Sequence, residues 1–261
     1  MTSLAAIILI AIAAELALKL WADLLNLRSL SPRLPIAFIN HYSPARYEKS
    51  QAYLKAKTRL GWISGGVSVF FWLAFWFGGG FIALDAGLGR WGLPVLTEGG
   101  LFIGSLLILN YIISLPFTVY HVFGIEARFG FNRTNPKTFM TDQIKTVVLT
   151  AAIGLPLLTI VLALFNFGGP WAWMMCWVAV GIYLVVIQFM APKFILPLFN
   201  RYEPLTDGPL RRAILEYAQK IGFSLKNIFV MDGSRRSSKS NAFFTGWGAN
   251  KRIALFDLSL I

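Results

Sequence analysis

The chain has 261 residues, of which 56% are hydrophobic and only 14% charged, against roughly 25% charged in a typical soluble domain. Its mean hydropathy is +0.63, and the apolar residues gather into long runs, which excludes both a soluble globular protein and a disordered one. The single cysteine, Cys176, excludes a disulfide-stapled scaffold; inside an apolar run it reads as a small buried hydrophobe.

A bilayer core needs about 20 apolar residues in helical form. Five stretches qualify, at residues 2–22, 61–84, 101–123, 144–165 and 171–191. The first has no positive side chain in its N-terminal flank and no small-x-small cleavage site after it, so it reads as a retained span rather than a signal peptide. Pro32, Pro35 and Pro44 break the connection that follows. Ser43-Pro44 then supplies an N-cap and a preset first residue for a basic helix over 45–60, which reads as a membrane-surface helix running into the second span.

The net charge of +12, from 24 basic and 12 acidic residues, is unevenly placed. Arg28, Arg33, Arg46, Lys49, Lys55, Lys57 and Arg59 fall in the first connection, and the second has only Arg90, offset by Asp85 and Glu98. Arg128, Arg133 and Lys137 fall in the third, none in the fourth, and many follow the fifth span. This alternation predicts five spans with the N-terminus outside and the C-terminal segment cytoplasmic. The expected membrane is a bacterial inner membrane. The basic residues form no single patch interleaved with aromatics, so topology and anionic lipid explain them and nucleic acid is not an expected partner.

Beyond Pro192 the pattern changes. Thr206 or Asp207 can cap a helix that Gly222 ends, with Leu210, Ile214, Tyr217, Ala218 and Ile221 on one face. Residues 227–231 read as a strand, and 241–247 and 252–257 as two more around Gly248-Ala249-Asn250. One helix and three strands enclose little core, and Ile253, Leu255 and Phe256 lack a partner surface, so the polypeptide is expected to continue. The fold class is an α-helical integral membrane protein, with five transmembrane helices in residues 1–191, followed by an incomplete cytoplasmic α+β segment in 192–261.

Catalytic sets are sparse. His41 and His121 are the only histidines, and there is no H-E-x-x-H, P-loop or G-x-S-x-G. Within the spans, Glu15 and Lys19 are spaced to pair on one helix face. Asn110, Gln188 and His121 fit either a wet interior or interhelical hydrogen bonding.

Two long segments carry more. Ile125-Glu126-Ala127-Arg128-Phe129-Gly130-Phe131-Asn132-Arg133-Thr134, running on through Phe139, Asp142 and Lys145, is one. Asp232-Gly233-Ser234-Arg235-Arg236-Ser237-Ser238-Lys239-Ser240-Asn241-Ala242-Phe243-Phe244-Thr245-Gly246, followed by Asn250-Lys251-Arg252-Ile253-Ala254-Leu255-Phe256-Asp257, is the other. Both resemble the type I CAAX prenyl endopeptidases, multi-pass membrane zinc metalloproteases, as does Tyr47-Glu48-Lys49-Ser50-Gln51-Ala52-Tyr53. The resemblance runs from about Ser43 to the end. It implies seven spans, a chamber among the helices, and zinc held by H-E-x-x-H and a later Glu. None of those ligands is in this chain, so the resemblance assigns it no catalytic or metal residue. The 261 residues alone are expected to bind no zinc and to be inactive, as the N-terminal part of a zinc-metalloprotease domain.

The resemblance does assign a substrate-binding pair, Asn241 and Ala242, on a strand that engages an extended peptide. Arg235, Arg236 and Lys239 offer charge for a substrate carboxylate but read better as a solvated loop. The segment Glu126 to Thr134 reads as a structural turn, with Gly130 suited to a tight bend. The expected partners are the lipid bilayer and an extended peptide or protein, prenylated or not. The implied function is proteolysis of prenylated CAAX proteins or membrane-protein quality control. The alternative is a non-enzymatic membrane scaffold or binding protein that keeps this region.

Overall fold

The computed structural model describes residues 3–31, 33–40, 42–246 and 251–260. Thr2 of the first span, Pro32, His41, and Trp247 with the turn Gly248-Ala249-Asn250 lie outside the described residues. The helices in chain order are α1 (Ser3–Arg28), α2 (Pro44–Phe77), α3 (Gly80–Gly89), α4 (Val95–Val119), α5 (Pro136–Phe167), α6 (Ala172–Met190), α7 (Leu196–Phe199) and α8 (Pro209–Lys220). A wider π-helical stretch, Tyr120–Glu126, prolongs α4, and another, Ala191–Ile195, joins α6 to α7. Among the described residues, five helical segments are long and apolar enough to cross a membrane: α1, α2, α4, α5 and α6 with their extensions.

Local chemistry sets where these helices begin. Ser43 Oγ accepts from the Arg46 N–H at 3.3 Å with Pro44 opening α2. Asn135 Oδ1 accepts from the Thr138 N–H at 2.7 Å with Pro136 opening α5. Each cap satisfies an N–H that the helix itself cannot. The second span ends earlier than its hydropathy suggests. Gly78, Gly79 and Gly80 interrupt it, Gly79 at φ +75°, and α3 begins afresh.

The chain forms two compact units, one of Met1–Phe81 with Ile108–Phe129, the other of Ile82–Leu107 with Gly130–Ile261. In the first, Trp62 Nε1 donates to Asp23 at 2.8 Å and Trp72 Nε1 to Asn110 at 3.3 Å. The Tyr53 hydroxyl donates to Glu126, and the Tyr53 ring meets Phe129 edge-on. In the second, the Tyr183 hydroxyl of α6 donates to the Ile153 carbonyl of α5 at 2.6 Å. Cys176 is buried, its Sγ 3.8 Å from the Val161 carbonyl.

The second unit also holds a four-stranded sheet of β1 (Tyr202–Pro204), β2 (Leu225–Met231), β3 (Ala242–Thr245) and β4 (Lys251–Phe256), in the order β1-β2-β4-β3. β2 and β4 run parallel and the outer pairs antiparallel. Leu205, Ile228 and Leu255 form its buried core, with Ile214 of α8 packed against them beside Leu225, Val230 and Ile253. Two details correct the sequence reading. β1 is a fourth strand, and α8 starts after Gly208 with Pro209 as its first residue, so neither Thr206 nor Asp207 caps it. The helix ends at Lys220, and Gly222, at φ +66°, turns the chain so that the Phe223 N–H returns to the Ala218 carbonyl at 2.8 Å.

Candidate functional site

Asn241 and Ala242 stand at the start of β3, the edge strand next to β4. Both are exposed. Ala242 pairs with Leu255, Phe243 with Ala254, Phe244 with Ile253 and Thr245 with Arg252. The Asn241 carbonyl accepts from the Phe256 N–H at 2.9 Å, which makes 241/256 a hydrogen-bonded pair. Antiparallel pairs alternate, so Ala242 and Phe244 direct their N–H and C=O groups away from β4, to the open edge. The Asn241 side chain uses one of these groups, because its Oδ1 accepts from the Ala242 N–H at 2.9 Å. The Ala242 carbonyl and both backbone groups of Phe244 are left facing outward.

An apolar groove of about 300 Å³ follows this strand on its α8 side, lined by Ile214, Tyr217, Ile221, Phe223 and Phe244 among others. Phe223 closes on Phe244 edge-on, ring centroids 6.0 Å apart. A peptide paired with the β3 edge would send every second side chain toward this groove, since side chains alternate across a pleated sheet.

The polar residues leading into β3 are folded, which corrects the solvated-loop reading. Arg236 is the clearest case, with a side chain only 22% exposed. Its Nε donates to Asp142 Oδ2 at 2.7 Å, its Nη2 to Asp142 Oδ1 at 2.9 Å, and its Nη1 to Asn200 at 2.9 Å. The bidentate bond to Asp142 holds the guanidinium above its ordinary pKa, despite burial acting the other way. Asp232 accepts from the Arg201 N–H at 2.8 Å. Ser234 donates to Asp257 twice, through its N–H at 2.8 Å and its hydroxyl. Burial would raise the Asp257 carboxyl, but these bonds and one from the Leu258 N–H hold it below the usual carboxylate range. Lys239 lies over the Phe131 ring at 4.5 Å. Arg235 is the exposed member of the three basic residues.

The segment Gly130 to Thr134 is the other half of this arrangement. Gly130 takes φ +68°, a conformation that other residues adopt at a cost. The turn it makes presents the Gly130 and Phe131 carbonyls to the hydroxyl and N–H of Ser238, at 2.8 and 2.9 Å. In return, the Arg236 carbonyl accepts from the Arg133 N–H and the Thr134 hydroxyl, each at 3.1 Å. The two long segments singled out in the sequence are therefore joined side by side, with Asn132 bridged to Ser237.

The remaining polar residues fall elsewhere. Asn110 and His121 line a groove of about 550 Å³ in the first unit, with Lys57, Ser64, Ser114 and Thr118. Gln188 is exposed on α6. His121 Nε2 lies 3.7 Å from Glu126, and among the described residues no three His, Cys, Asp or Glu side chains converge. The donors among these described residues do not make up the three or more protein ligands that a zinc ion takes.

Residues 23–201 match the family described as CAAX prenyl protease N-terminal, five membrane helices, and residues 204–260 match peptidase family M48. The chain is 35% identical over 248 residues to the CAAX prenyl protease 1 homolog of Arabidopsis thaliana, covering 91% of this chain and 58% of that protein. To CAAX prenyl protease 1 of Saccharomyces cerevisiae it is 42% identical over 162 residues, 60% of this chain and 35% of that one. The crystal structure of S. mikatae Ste24p matches with a TM-score of 0.82 at 31% identity, covering 95% of this chain and 60% of that chain. The chain thus spans about three-fifths of the length of these longer matches, and it belongs to the CAAX prenyl protease family of multi-pass membrane proteins.

Proposed function

We propose that this member of the CAAX prenyl protease family supplies the membrane domain and the substrate-binding edge of a zinc metalloendopeptidase. The carrying observation is the edge strand β3, with Asn241 and Ala242 exposed at its start and backbone groups of Ala242 and Phe244 turned outward. An extended peptide laid antiparallel along this edge gains main-chain hydrogen bonds whatever its sequence. To reach the Ala242 N–H, the peptide displaces Asn241 Oδ1, and the freed carboxamide has both a donor and an acceptor to offer. The groove beside Phe223 and Phe244 suits large apolar side chains.

The substrate class is an extended peptide or protein segment, prenylated in the maturation reading and hydrophobic in the quality-control reading. We divide the chain functionally into a membrane part, 1–191, and the start of the peptidase part, 192–261. The alternation of basic connections supports the N-terminus outside and the sheet in the cytoplasm. The relatives named above are eukaryotic, which gives a bacterial inner membrane no support. In the family, zinc would supply the activated water. The 261 residues bring the strand and not the ligands, so they are proposed to cleave nothing alone.

The test compares the 261-residue chain with the natural full-length polypeptide and its Asn241→Ala variant, on peptide hydrolysis with bound zinc and melting temperature followed in parallel. A hydrogen bond between neutral groups is worth about 0.5–1.5 kcal/mol, more where it strengthens in the transition state. Asn241→Ala should therefore lower kcat/KM roughly three- to hundredfold at unchanged zinc content and melting temperature. Wild-type turnover by a folded Asn241→Ala enzyme removes the substrate reading. Chelator-sensitive cleavage by the 261 residues alone refutes the division of labour and points to a metal site outside the described residues. A full-length protein that binds the peptide but never hydrolyses it favours the non-enzymatic scaffold.

A further inference from the structure

We infer that Arg236 and Asp142 are a positioning pair, a clamp that holds the approach to β3 against the first turns of the span helix α5. The inference rests on the reading of β3 as the substrate strand. Three observations carry it. Arg236 binds Asp142 through two parallel N–H···O bonds, 2.7 and 2.9 Å long, and both side chains are 22% exposed. The same guanidinium reaches Asn200, just past α7. The Arg236 carbonyl and the next two residues are fastened to the turn before α5, through Arg133, Thr134, Asn132, Phe131 and Gly130.

Pairing with β4 sets the register of β3 but says nothing of where the sheet edge stands relative to the helices. That second restraint comes from the clamp. Only Ser237 to Ser240 separate Arg236 from Asn241, and Ser238 among them is bonded to the turn at both its hydroxyl and its N–H. A loop held at 236 and 238 leaves Asn241 little freedom to move along or away from the helices. The bidentate geometry is specific to a guanidinium, because a lysine ammonium cannot form two parallel bonds to one carboxylate. A peptide emerging from the bilayer would meet a strand at a fixed height, so that the strand itself need not be ordered at the moment of binding.

The experiment uses hydrogen exchange of the 261-residue chain in nanodiscs, together with hydrolysis by the natural full-length polypeptide. Asp142→Ala and Arg236→Ala should each speed exchange over residues 237–245 by on the order of tenfold or more, with β2 unaffected. Arg236→Lys should fall between them and the wild type. The double exchange, Asp142→Arg with Arg236→Asp, should recover much of the protection, which general loss of structure would not do. In the full-length enzyme the single variants should raise KM more than they lower kcat, with zinc content unchanged. Unchanged exchange in both alanine variants overturns the clamp, as does a double exchange no better than either single. If Asp142→Ala fails to fold, Ser238→Ala decides. It removes only the hydroxyl bond to Gly130 and should speed exchange about two- to threefold; no change refutes the clamp. Loosened exchange beside wild-type turnover of Asn241→Ala rejects the substrate strand alone, whereas tight exchange beside a crippled Asn241→Ala enzyme rejects only the clamp.

Discussion

The spans and the sheet segment are both rich in apolar residues, yet they use them in opposite directions. No residue of α1 or α2 is buried within the protein, and Ile7, Ile10, Ile63 and Phe70 are all more than half exposed. These side chains find their apolar surroundings in lipid, so length and hydropathy suffice and exact partners matter little. In the sheet, Ile228 is 3% and Ala254 4% exposed. The segment before β3 is held almost wholly by directed bonds between distant residues. The same apolar residue types therefore give one region tolerant of substitution and another that is not.

The largest expected effect contrasts two isoleucines. Ile228→Ala empties part of the sheet core and should destabilise that segment by about 2–5 kcal/mol. Ile63→Ala, at a position 59% exposed on α2, should stay within about 0.5 kcal/mol. Chemical denaturation in nanodiscs measures both, and equal losses would erase the contrast. A smaller effect should follow Gly233→Ala. An added Cβ would stand 2.4 Å from Cδ2 of the Phe256 ring, which should cost about 1–3 kcal/mol. A neutral outcome in the same denaturation would mean that the ring gives way and the loop is looser than its bonds suggest.

The smallest effect is present at neutral pH and fades in acid. Asp257 in the folded protein lies below its ordinary value of 3.8, the bonds from Ser234 and Leu258 outweighing burial. Its contribution to stability is present above that ordinary value and is lost as pH falls through the folded one. Asp257→Asn should therefore lower stability at neutral pH and match the wild type more closely as the solution is acidified. Parallel curves for the two proteins down to pH 2 would show that the carboxylate is not what joins β4 to the loop.

What could be read in advance follows the same division. Five spans were legible because about 20 apolar residues in a row have few other destinations. The cap at Ser43 and the end of α8 before Gly222 are local chemistry and equally visible. The break at Gly78 to Gly80 was hidden because near-neutral glycines lower only slightly the hydropathy of a window that holds seven large apolar residues before them. β1 is three residues long and contains Pro204, too short for any alternation to show. Ser234 to Ser240 looked solvated because its partners, Gly130 and Asp142, are 108 and 94 residues away from Ser238 and Arg236. Asn241 and Ala242 were reached through resemblance; nothing in their own side chains announces an edge.

That edge has one more property. An unpaired strand invites a second copy of the chain to continue the sheet, the first step toward aggregation. β3 is four residues long, and one of its outward donors, the Ala242 N–H, is already occupied by Asn241 Oδ1. A neighbouring copy finds few free groups to template upon, while a flexible peptide, on the function proposed above, would open the Asn241 cap as it arrives. One side chain thus keeps the strand unattractive to its own kind without closing it to others.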